Sequence, residues 1–197
     1  MKHLKILGLA AVAAMALMAI GASTASATTL AVGGSKTNSA VKIEASLETG
    51  TSAKLQKTDG TFANTCTTSK VVGTTSVFTG TAVSGPLAEK ETGLSFGSCT
   101  TEKVTVDASG SLSVEWISGT TNGTVKSSGA KVTVPSPFGT LTCETGTGTD
   151  VGTLTGTKTG SATMDIKAVL NCGFLAPSAT WEGSYWVTSP GGLGVEE

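Results

Sequence analysis

The amino-acid sequence predicts an all-β fold, a two-sheet β-sandwich of Ig-like or jelly-roll-like type, with a closed β-barrel as the alternative. Three observations carry this expectation. Threonine and glycine dominate the chain after residue 27 while helix-favouring stretches are almost absent there, which is the composition of strands and turns. Short segments alternate apolar and polar residues with a period of two. Turn signals fall among those segments, and about a dozen short strands in one unit must bury their apolar faces by packing two sheets or by closing one.

The first element is not part of that fold. Met1 to Lys5 carries Lys2, His3 and Lys5, residues 6–22 are almost wholly apolar, and a small-residue tract ends at Ala25-Ser26-Ala27. This order predicts a helical secretory signal peptide over residues 1–27, removed before Thr28. The competing reading is an N-terminal anchor, since the apolar run approaches the ~20 residues that span a bilayer. Cleavage leaves residues 28–197 as a single all-β domain, large enough to bury a core without a metal.

Within that domain, 41–47 alternates without a break, as a half-buried strand should. Further strands are expected at 94–99, 104–107, 112–117, 131–134, 139–143, 151–157, 162–170 and 181–188. Turns are expected at Gly33-Gly34, Asp59-Gly60, Ser84-Gly85-Pro86, Ser109-Gly110 and Asn122-Gly123. Asn122-Gly123 is the strongest hairpin signal, because a type I′ turn needs positive φ at both central positions. Thr145, Thr147, Thr149, Thr153, Thr155, Thr157 and Thr159 share one strand parity, an array suited to ordered water. The opposite parity is mostly glycine and a poor core face, so a turn at 146–150 followed by a strand at 151–157 is the preferred reading.

Cys66, Cys99, Cys143 and Cys172 all lie beyond the signal, and an even count in an exported chain reads as two disulfides with three possible connectivities. The chain also echoes itself. Thr65-Cys66-Thr67-Thr68, Val72-Gly73-Thr74, Thr79-Gly80-Thr81 and Cys99 are matched in order by Thr142-Cys143-Glu144-Thr145, Val151-Gly152-Thr153, Thr155-Gly156-Thr157 and Cys172. Duplication and chance in a Thr/Gly-rich chain both explain this. Pairing Cys66 with Cys99 and Cys143 with Cys172 keeps each bridge inside one half. A four-cysteine zinc site lacks the usual C-x-x-C spacing, and no metal or cofactor is expected.

Absences exclude much chemistry. The only histidine is His3, in the signal, and the chain has no arginine. Neither Ser-His-Asp nor Cys-His catalysis nor His-ligated zinc can be built in the mature domain, and no bidentate guanidinium is available for phosphate. Of the 13 basic residues, 11 remain without Lys2 and Lys5, against 14 carboxylates, a balance of −3. That gives no footprint for nucleic acid or for a membrane after cleavage. Paired carboxylates are the surviving catalytic option, with Glu115 beside Trp116 and Glu182 beside Trp181 as candidates. Strand alternation, however, sets Leu112, Val114 and Trp116 on one face and Glu115 on the solvated other.

The last strand carries the candidate binding site. If Trp181, Tyr185 and Val187 line the core, Trp186 faces outward with Glu182 and Ser184, where an indole can stack on a sugar ring or anchor a partner protein. Alternatively the loop 174–178 covers it.

The stretches 116–125, 131–134 and 181–190, that is WISGTTNGTV, KVTV and WEGSYWVTSP, resemble small, largely uncharacterised, secreted β-rich proteins of actinobacteria. More remotely, a Val-rich strand, Pro135 to Gly139, Cys143, Cys172 and Thr188-Ser189-Pro190 are similar in order to the secreted alkane-oxidation activator family. Neither resemblance brings a catalytic motif. The expectation is an exported, non-enzymatic structural, adhesive or matrix-associated protein, secreted or held at the cell wall, whose partner is an envelope or extracellular glycan or protein. The alternative is a carbohydrate- or small-ligand-binding module at Trp186. Intact mass of the secreted protein should correspond to a chain beginning at Thr28 with all four cysteines oxidised; a mass that retains residues 1–27 would establish the anchor instead.

Overall fold

The computed structural model describes residues 27–75, 77–79, 82–86, 93–101, 103–137, 139–174 and 176–197. The signal segment, apart from Ala27, lies outside the described residues, as do Gly80 and Thr81 of the internal echo. The chain is an all-β sandwich. Its first strands are β1 (Thr29–Val32), β2 (Ser35–Thr37), β3 (Lys42–Leu47), β4 (Ala53–Lys57), β5 (Ala63–Thr74), β6 (Val77–Thr79), β7 (Ala82–Pro86) and β8 (Leu94–Cys99). There follow β9 (Thr105–Ala108), β10 (Ser111–Trp116), β11 (Gly123–Ser128), β12 (Lys131–Ser136) and β13 (Gly139–Glu144). The last are β14 (Thr149–Thr155), β15 (Thr163–Leu170), β16 (Ala179–Ser189) and β17 (Leu193–Glu196).

One large sheet organises the molecule. From β16 it runs through β15, β14, β11, β10 and β7 to β6, and in the other direction through β3 and β4 to β5 and β8. Among the described residues it does not close into a barrel: β6 and β8 are its two ends. A sheet of this many strands twists and folds back to bury its apolar face, and β5 comes against β7 across the core. Two three-stranded sheets, β17-β1-β2 and β13-β12-β9, complete the sandwich.

β3 and β4 form one interrupted lane between β5 and β16. Leu47 is opposite Tyr185 and Lys54 opposite Glu182, so β3 and β4 advance seven residues while β16 retreats three. The surplus residues bulge out at 48–52, held by Glu48 N donating to Ser184 O and Thr51 N donating to Glu48 O. On β5 the buried parity changes at the same level, from Asn64 and Cys66 to Ser69 and Val71.

The expected strands at 94–99, 131–134, 139–143 and 181–188 all lie in β-structure, as do 41–47, 112–117 and 162–170 except for their terminal Val41, Ile117 and Ala162. Both disulfides pair as the echo suggested: Cys66 with Cys99 across β5 and β8, and Cys143 with Cys172 beside the Glu144–Asn171 bridge. The echo itself does not extend to the strands, because Cys66 and 72–74 share β5 whereas Cys143 and 151–153 lie on β13 and β14.

Two expected turns are corrected. Ser84-Gly85-Pro86 is not a turn but part of β7, paired with 111–113 of β10. Asn122-Gly123 is not a type I′ turn either. The chain reverses over 117–122, with Gly119 at φ 77° and Ile117 N donating to Asn122 O at 2.9 Å, and Gly123 opens β11. Gly123 is needed for close approach: a Cβ there would lie 2.3 Å from Val114 Cγ1 and 2.9 Å from Glu115 O. The two-residue turn predicted at Gly33-Gly34 does form, with φ 60° and 75°.

These different demands separate two substitutions. Gly123→Ala should cost about 3 kcal/mol through overpacking, whereas Gly119→Ala, which meets no atom within 4 Å, should cost only about 1 kcal/mol of left-handed strain. Urea denaturation measures both; a larger loss at Gly119 would refute the packing role of Gly123.

Candidate functional site

Side-chain alternation along β16 sorts its residues cleanly. Tyr185 and Val187 are buried and Trp181 is half-buried, while Glu182, Trp186 and Thr188 are exposed. The Tyr185 hydroxyl is 3.0 Å from Ser69 Oγ inside the core, and the Trp181 ring meets Phe96 edge-on with centroids 5.5 Å apart. Trp186 is 44 % exposed. The described residues of the loop 174–178 do not cover it: Ser178 is tied to Thr58 at the far end of β16, about 25 Å along the strand from Trp186, and Phe174 is itself 99 % exposed.

Register places hydroxyls on both sides of the indole. Ser46 of β3 and Thr163 of β15 are directly opposite Trp186, and Lys70 of β5 is opposite Ser46 in the next lane. Ser184 is half-buried and donates to Asp165 Oδ1 at 2.6 Å. Glu182 stands between Lys54 and Lys167 in the register and makes a 3.7 Å ion pair with Lys167. The three expected binding residues thus share one face, with Trp186 as its exposed aromatic side chain and Glu182 and Ser184 engaged by neighbouring strands.

Sequence reasoning missed Ser46, Thr163, Lys70 and Asp165. The outward parity of Ser46 was legible in 41–47, but its lane beside Trp186 is a fact of topology. At one edge of the face Glu44 accepts from Lys42 at 2.7 Å and Lys70 at 2.9 Å. The bonds from these two lysines hold its carboxyl down to about 2.

Glu115 and Glu182 are not brought together. Glu115 lies on β10, four strands from β16, roughly 19 Å across the sheet, far beyond the ~5–9.5 Å of a glycosidase carboxylate pair. Glu115 instead accepts twice from Lys126, at 2.8 Å each. The Thr parity is interrupted by a turn at 147–148, leaving Thr153 and Thr155 exposed on β14.

No protein-family model matches this chain, and neither a curated protein nor a solved structure matches it. The reading of the face therefore rests on its own chemistry.

Burial pushes the Tyr185 phenol up to about 12, against a smaller opposing effect of the Ser69 bond. A folded-state pKa above the unfolded value of about 10 means that this contribution is complete below pH 10 and lost as pH rises toward 12. Tyr185 is the chain's only tyrosine, so tyrosinate absorbance reports it alone. The phenolate should appear together with unfolding, and Tyr185→Phe should remove this dependence; ionisation near pH 10 in the folded protein would contradict the burial argument.

Proposed function

We propose that this chain is an exported, non-enzymatic adhesive domain that acts at the cell surface or in the extracellular matrix through the outer face of β3, β16 and β15. The observation that carries the reading is Trp186: a large aromatic side chain held 44 % exposed on a strand paired on both edges, with hydroxyl groups on both flanks. Exposed aromatics ringed by polar groups are the usual energetic centres of protein and sugar contacts. The two disulfides fit an oxidising compartment, and secretion with cell-wall association extends that reading. Thr28, the first residue after the proposed cleavage point, is buried, and its hydroxyl accepts from Trp116 N at 2.9 Å. This supports a mature domain that starts at the processing boundary.

A second reading uses the same face as a carbohydrate-binding surface. It is favoured by the placement of Ser46 and Thr163 directly beside the indole, where they can bond the hydroxyls of a sugar stacked on Trp186. Neither reading calls for nucleic acid, a membrane contact after cleavage, or a cofactor.

The test is sedimentation of the purified protein with cell-envelope fragments, intact and protease-treated. Trp186→Ala should weaken association about 30-fold, the loss of a ~2 kcal/mol anchor, without lowering the thermal midpoint. Binding that survives protease favours the glycan; binding lost with protease favours a protein. An unaffected Trp186→Ala variant would remove the face from the function.

A further inference from the structure

We infer that the core contains a binding site for one small apolar molecule, of about four carbon atoms or the end of a longer alkyl chain, between the two halves of the folded sheet. The space there measures about 90 Å³. Apolar cavities of ~150 Å³ stay dry and admit benzene, and scaling from that size gives the four-carbon limit. It lies on the side of β16 opposite the Trp186 face, since Val187 is among its lining residues, and does not depend on the function proposed for that face.

Small residues create the space. Ile43 is opposite Gly73, and Ala45 is opposite Val71, on the neighbouring strands β3 and β5. Ala45 and Gly73 therefore leave room at one wall that larger side chains would fill. Val83 of β7 with Leu112 and Val114 of β10 faces them from the other half. Ile43, Leu112 and Val114 line the space, yet each stays only half-buried. An apolar ligand would remove this remaining area from water, which is the driving force for binding.

Water is a poor occupant. Among the described residues, the only side-chain polar groups in the lining are those of Thr74 and Thr75. Thr75 is already committed: its Oγ1 accepts from Val41 N at 2.9 Å and donates to Val41 O at 3.4 Å. A buried water needs two to four partners, and this lining offers one uncommitted hydroxyl, that of the exposed Thr74. The chemistry selects a hydrocarbon.

The experiment is methyl NMR of the oxidised protein in buffer equilibrated with xenon and, separately, with n-butane. Saturable shifts should appear at Val83, Val114 and Leu154, all lining residues, and not at the exposed Val169. Ala45→Leu should weaken both probes at least about tenfold, and Val83→Leu provides a second filling variant should the first fail to fold. Val71→Ala, which enlarges the space, should admit benzene. Trp186→Ala should leave all of these shifts unchanged. Absence of saturable shifts with either probe, or unaltered binding in a folded filling variant, would overturn the assignment.

Discussion

The buried Tyr185 ring, with its hydroxyl within bonding distance of Ser69, is the constraint on which the candidate face depends. Because successive residues of a strand point to opposite sides, placing Tyr185 and Val187 in the core turns Trp186 to solvent. A one-residue slip in register would exchange them. Such a slip would bring Trp186, Ser184 and Glu182 into an apolar interior and expose the only tyrosine. The Tyr185–Ser69 contact opposes this, since the slip would leave the buried Ser69 hydroxyl without its partner. The register is also set on both edges of β16, by eight paired positions with β15 and by the divided lane of β3 and β4.

That divided lane bends a long sheet over its core beside the outer polar patch. The surplus residues at 48–52 leave the ladder beside Ser184, and the buried parity of β5 shifts at the same level. Bulges increase local twist and bend a strand. The bulge at 48–52 lies to one side of Trp186 and a register shift between Val187 and Ser189 lies to the other, so Ser46, Trp186 and Thr163 sit in the regularly paired stretch between them.

Strands whose own pattern alternated were legible in the sequence. Residues 41–47 and 181–188 announced both their faces, and so the outward direction of Trp186 followed from Tyr185 being its neighbour. β5 was not recognised because its long run 63–74 changes parity midway, so that two half-strands of opposite phase mask each other's alternation. β11 was missed for a related reason: small Ser and Gly residues give its 123–128 segment little hydrophobic contrast. Asn122-Gly123 misled because its hairpin signal concerns backbone freedom, whereas Gly123 answers a contact with Val114 and Glu115 made across strands. The candidate face was legible only along β16. Ser46, Lys70, Thr163 and Asp165 reach it through pairings between distant segments, which no local pattern encodes.

The core is not braced evenly. Cys66 lies close to Val132 and Val134 of the small β9-β12-β13 sheet and to Leu170 and Trp181, around a space of only about 30 Å³. Cys172 follows directly on this region and joins the same small sheet through Cys143. Both disulfides thus strengthen one half of the sandwich, each closing a loop of about 30 residues for roughly 3–4 kcal/mol by the chain-entropy account. The other half holds the larger space between Ala45 and Val83 without a covalent link among its lining residues. An empty cavity of that size costs about 2 kcal/mol, which either bridge alone can offset. The cross-links therefore let the domain keep an incompletely filled half-core beneath its outer face, and stability does not require the small residues Ala45 and Gly73 to be larger.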